Sequence, residues 1–155
     1  MVTRVLVGAL AIIGLASAAE LAVQSVSISP GQSKEIEIRF NAEGSQTTGL
    51  QFDLGFDAEI LKIAAAPGAA ATAAGKSVVS SELGRGKRRF IVAGLNRDAI
   101  SDGVVVRLTV SVSDTSKAGD VVVGVDYVSG TDRDAKRLPV TARSGVVSVV
   151  AGRVP

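Results

Sequence analysis

The 155-residue chain has no cysteine, no histidine and no tryptophan, and its aromatic side chains are one tyrosine, Tyr127, and four phenylalanines. Each absence removes a class of chemistry. Without cysteine there is no disulfide framework, no thiol nucleophile and no thiolate metal site. Without histidine the commonest general base and the commonest metal ligand are missing. An enzyme built on this chain would need an Asp/Glu pair or an unusual Ser–Lys arrangement, and no spacing in the sequence suggests either. A flat sugar-binding platform needs exposed aromatic rings, which one tyrosine does not supply. Neither sign of charge dominates: 17 basic and 15 acidic residues leave a formal +2. So small an excess gives no footprint for nucleic acid. The expectation is a non-catalytic protein with no cofactor, no metal and no nucleic-acid partner.

What is present is aliphatic. Hydrophobic residues make up 46% of the chain, so Val, Ile, Leu and Ala must fill the core. Val and Ile suit a pleated, half-buried surface. The length favours one domain. Met1 to Ala18 reads MVTRVLVGALAIIGLASA. Arg4 supplies a positive start, Val5 to Ala16 is an apolar run, and Ala16-Ser17-Ala18 is an A-x-A cleavage site. Residues 1–18 are therefore expected to be a secretory signal peptide. The run is too short to cross a bilayer, which takes about 20 apolar residues. Export of a chain without cysteine points to a bacterial secreted protein, periplasmic, surface-held or extracellular. The domain is expected over 19–152, with a short tail at 153–155.

Beyond the leader the dominant pattern is alternation, the period of a strand with one face buried. Ile36, Ile38 and Phe40 alternate with Glu35, Glu37 and Arg39. Leu50, Phe52, Leu54 and Phe56 alternate with Gln51, Asp53 and Gly55. Val104, Val106, Leu108, Val110 and Val112 are expected inward, with Arg107, Thr109 and Ser111 to solvent. Weaker strands are expected at Ala22–Ile28, Ile60–Ala64, Lys76–Glu82, Lys87–Leu95, Val121–Val128 and Val146–Val150. The glycines of Leu83-Gly84-Arg85-Gly86 suit a hairpin turn. Ala64–Gly75 reads as a loop with a turn of helix, because Pro67 and Gly68 interrupt the alanines. About nine strands at short spacing predict an all-β fold, an antiparallel β-sandwich or barrel.

The order of these pieces resembles the cohesin family, jelly-roll modules that receive dockerins on bacterial cellulosome scaffolds. The likeness runs from Val23 to Val150. It rests on Gly31 before Lys34–Phe40, on Gly49-Leu50-Gln51-Phe52-Asp53-Leu54-Gly55-Phe56-Asp57 leading to Leu61, on Asp102-Gly103 before Val104–Val112, on Gly119, and on Gly145–Val150. The resemblance implies a nine-stranded antiparallel sandwich of jelly-roll topology that binds a protein partner through one sheet face. It also brings in a second reading, since cohesins share their architecture with carbohydrate-binding modules: a module acting on extracellular polysaccharide. The sequence departs from the family at the turn, with Phe56 for a usual Tyr and Ala58 for a usual Pro. It departs again on the preceding strand, where Gly49 and Gln51 fall at the polar positions that contact a dockerin helix.

Candidate residues follow. Gln51 and Asp53 are placed on the outward strand face, and with Lys87 and Arg89 they form the candidate partner surface. Arg85, Lys87, Arg88 and Arg89 make the one charge run, readable as an exposed hairpin or as a site for an acidic partner. Asp57 is expected to close an Asx-turn. Asp126, Asp132 and Asp134 read as a polar turn, because the later Gly and Glu of a calcium loop are absent. Tyr127 alternates with Val121, Val123 and Val125 and is therefore expected to lie with the core.

Overall fold

The computed structural model describes residues 18–151. The expected leader lies outside the described residues except for Ala18, and so does the tail. Twelve strands and one short helix follow in order: β1 (Ala19–Val23), β2 (Val26–Ile28), β3 (Ser33–Asn41), β4 (Gly49–Gly55), β5 (Leu61–Pro67), α1 (Ala69–Ala73), β6 (Ser77–Gly84), β7 (Lys87–Ala93), β8 (Gly103–Val112), β9 (Gly119–Thr131), β10 (Arg137–Leu138), β11 (Val140–Arg143) and β12 (Gly145–Val149). One sheet runs β11-β1-β3-β8-β5. The other runs β2-β12-β9-β4-β7-β6, with β10 on β9.

The count exceeds nine for a topological reason. The opening and closing strands each divide between the sheets, and the two-residue β10 adds a short ladder on β9. β1 joins one sheet and β2 the other, and β11 and β12 do the same. The two parallel pairs, β1 with β11 and β2 with β12, arise there, while the remaining ladders are antiparallel. The result is a jelly-roll sandwich stitched at both chain ends.

The alternating residues meet between the sheets. Ile36, Ile38 and Phe40 from β3 and Leu108 and Val110 from β8 are buried opposite Phe52, Leu54, Phe90 and Val92 from β4 and β7. Phe52 and Phe90 stack with ring centroids 5.2 Å apart and planes 9° from parallel. In a core short of aromatics this pair supplies much of the bulk at the centre of its sheet.

Two local expectations fail, each for a stated reason. The stretch Ala64–Pro67 continues β5 along β8 and is not loop, because Ala64 to Pro67 find ladder partners from Thr109 to Val106. The helix then occupies Ala69–Ala73. On β8 the alternation breaks near its start. Ile38 pairs with Val106 but Arg39 pairs with Val104. Val105 is the extra residue of that bulge, so it is buried in place of Val104.

Candidate functional site

The outer face of β6, β7, β4 and β9 gathers most of the candidate residues. Register decides which side chains share it. Gln51 lies opposite Ile91, Asp53 opposite Arg89 and Gly55 opposite Lys87. Val79 of β6 lies opposite Ile91 on the other side. Across β4, Gln51 faces Ser129 and Asp53 faces Asp126. Phe52, Phe90 and Val92, which alternate with these, point into the core.

Between those last two pairs β9 advances three residues while β4 advances two. This bulge puts Tyr127 in the left-handed region, at φ +51°. The strand's phase changes there, and the Tyr127 ring is turned out to 71% exposure. The alternation that assigned Tyr127 to the core holds only up to Val125, so the core assignment is corrected. The Lys87 ammonium sits 5.2 Å from the ring centroid. That is a cation–π distance, and it ties two strands together on the surface.

Asp53 is also corrected. It lies on the outer side of β4, yet its side chain is only 2% exposed. Arg89 covers it with a bidentate clamp: Nε donates to Oδ1 at 2.8 Å and Nη2 donates to Oδ2 at 3.0 Å. The hydrogen bond from Arg89 is the main cause that holds the Asp53 carboxyl below the usual carboxylate range, helped by the charges of Arg89 and Lys87 and opposed by burial. The same contact raises Arg89. Asp53 is therefore an internal counter-ion paired with Arg89, and its carboxylate is covered instead of facing solvent. Gln51 remains half-buried on the face. Gly49 is buried, and a Cβ there would come within 2.8 Å of Thr131 Oγ1, so it packs closely against β9.

The charge run is divided by the pleat. Lys87 and Arg89 lie on the outer face. Arg88 points the other way, its guanidinium 4.0 Å from Glu82. Arg85 sits in the turn of the β6–β7 hairpin, 3.6 Å from Glu59. A cavity of about 790 Å³ opens there between the two sheets, lined by Phe56, Leu61, Lys62, Leu83, Arg85 and Arg88 among others.

Asp57 Oδ1 accepts the Glu59 N–H at 3.0 Å, an Asx-turn that carries the chain from β4 to β5. Asp132 Oδ1 accepts the N–H groups of both Asp134 and Lys136 at 2.9 Å. That carboxylate closes its own loop, while Asp126 stands apart on the sheet face opposite Asp53. No three acidic side chains converge on a metal-sized site among the described residues.

Sequence reasoning missed the apolar part of the face. Val79, Ile91, Val122 and Tyr127 are all exposed. Ile91 was findable, since it alternates with Phe90 and Val92. Tyr127 carried no signal, because a bulge is not written in hydrophobic period.

Residues 19–149, the span that forms this sandwich, match a family model described as the cohesin domain. The chain belongs to the cohesin family. No curated protein matches its sequence. Among solved structures, this cohesin is similar to one in a type I cohesin–dockerin complex from Clostridium thermocellum. That match has 16% identity, covers 86% of this chain and 100% of the other, and has a TM-score of 0.77. A type I cohesin from Pseudobacteroides cellulosolvens is similar at 20% identity, with coverage of 88% and 95% and a TM-score of 0.75. A non-cellulosomal cohesin from the archaeon Archaeoglobus fulgidus is similar at 12% identity, with coverage of 86% and 92% and a TM-score of 0.72. At these identities the likeness is one of fold.

Proposed function

We propose that this cohesin is an exported, non-catalytic receptor that holds a protein partner on the outer face of β6, β7, β4 and β9. The observation that carries the reading is Tyr127: a large ring held out of the core at a left-handed backbone position, with the Lys87 ammonium over it. Exposed aromatic anchors with a cation at the rim are typical of binding hot spots. Backbone strain at an exposed side chain points to function, since packing does not account for it. The absence of His and Cys from the sequence, and the engagement of Asp53 by Arg89, support binding over catalysis. The relatives seen in complexes with dockerins support a protein, and specifically a dockerin-like, partner. The leader at 1–18 supports export.

The test exposes the immobilised protein to the secreted proteins of its source organism, with and without calcium, beside the variants Tyr127→Ala and Gln51→Ala. A partner retained by the wild type and lost by Tyr127→Ala supports this face. Retention that needs calcium identifies a dockerin-like partner, because dockerins fold around calcium. Retention unaffected by Tyr127→Ala removes the face from the proposal. Binding to an insoluble polysaccharide with no protein retained replaces it with the carbohydrate-binding reading.

A further inference from the structure

A sandwich of open sheets has four edges, and an unguarded edge is a template for another strand. Three of the four edges here are protected. β2 is three residues long and β11 four. β5 carries Lys62 outward and ends at Pro67, which has no N–H to offer. β6 is different. It is eight residues long, reads SVVSSELG, and has no Lys, Arg or Pro. Its side chains are exposed except for Val78, and among the described residues its one neighbour in the sheet is β7.

We propose that β6 is a dimerisation edge, occupied by β6 of a second copy of this chain in antiparallel register with Val79 opposite the second copy's Val79. Three features select a second copy. Val79 is 59% exposed and lies opposite Ile91, itself exposed, on the outer face. Directly opposed residues of an antiparallel pair project to the same side. The proposed register therefore makes one apolar row across the junction: Ile91, Val79, then Val79 and Ile91 of the second copy. The same register opposes Val78 with Ser80 and Ser77 with Ser81, small residues that fit closely. It keeps the Glu82 carboxylates far apart, at opposite ends of the pair, so no like charges meet.

The pairing joins two sheets into one and leaves both outer faces on the same side. The dimer would present two receptor faces in one surface, a bivalent platform. Because the contact uses few residues on each edge, the association is weak, in the micromolar range or above.

Sedimentation equilibrium on the protein expressed from the whole 155-residue sequence tests the proposal. The weight-average mass should rise with concentration from monomer towards dimer. Val79→Lys opposes two ammonium groups, and Val79→Glu two carboxylates. Each variant alone should weaken association about tenfold or more. An equimolar mixture of the two should recover a dimer, since Lys then faces Glu. Thermal melts of each variant control for folding, and Val79 is exposed enough that they should not move. A wild type that stays monomeric at all concentrations overturns the proposal. So does association that survives Val79→Lys. A mixture that fails to recover the dimer overturns the register with Val79 opposite itself. None of these readings involves the partner of the receptor face.

Discussion

Position 127 offers a test in which the usual ranking of two small residues should invert. In an ordinary strand, Gly is less stable than Ala by roughly 0.5–1 kcal/mol, because its unfolded chain is freer. Tyr127 has φ +51° in a strand bulge. There any residue with a Cβ carries a left-handed cost of about 1–2 kcal/mol, from which Gly is exempt. Neither Tyr127→Ala nor Tyr127→Gly keeps the ring, so the contact with Lys87 is lost equally in both. The difference between them is then the left-handed cost less the glycine entropy, leaving Gly ahead by about 0.5–1 kcal/mol. With a urea slope of about 2 kcal/mol/M, the Gly variant should unfold at a midpoint higher by roughly 0.3–0.5 M. Partner retention should fall equally in the two variants, because it depends on the ring. An Ala variant as stable as the Gly variant would refute both the left-handed assignment and the argument that Tyr127 is held under strain for its exposure.

Other consequences are as direct. Asp53 is held below the ordinary carboxylate value of 3.8, so its unfolded form takes a proton first. Its stabilising effect is complete above the unfolded value and is lost as pH falls through the lowered folded one. The gap in urea midpoint between wild type and Asp53→Asn should therefore narrow between about pH 7 and about pH 3, and a constant gap would contradict the clamp. Phe90 is fully buried and stacked on Phe52, so Phe90→Ala should cost about 3–5 kcal/mol, read as a melting point lower by on the order of 10–20 °C. Asp57→Ala removes the acceptor for the Glu59 N–H and should cost about 1 kcal/mol in chemical denaturation, whereas Asp57→Asn keeps an acceptor and should cost much less.

The sandwich was legible because its physics is periodic. β3 buries every second residue from Ile36 to Phe40, β4 turns Leu50, Phe52 and Leu54 inward, and Ile36, Phe40, Phe52 and Leu54 could be assigned to the core from spacing alone. The turn at Asp57 was legible because an Asx-turn is local. What escaped was non-local or aperiodic. The splitting of the first and last strands between sheets depends on which partner each half meets. The bulges at Val105 and Tyr127 each shift the phase by one residue, and one such shift exchanges core for surface. Asp53 looked solvent-facing because alternation gives the side of the sheet but not what lies on top of it. The guanidinium of Arg89, thirty-six positions away, decides that.

That clamp also bears on what the proposed receptor face can recognise. Of the two cations expected on it, Arg89 is committed to Asp53 through both of its donating nitrogens in the clamp. Lys87 lies over the tyrosine ring and makes no ion pair with a described residue. Asp126, on the other side of Asp53, offsets part of the local positive charge. A strongly acidic partner would therefore find little net field on this face. The geometry suits an apolar group set against Tyr127 with a single acceptor near Lys87. Affinity for such a partner should depend weakly on salt, because one exposed cation is screened at little cost while buried apolar area is not. Binding measured across a salt series, once a partner is in hand, would separate the two cases. A steep loss with salt would move the recognition from the ring to the cations, and with it to Arg85 and Arg88 at the hairpin end.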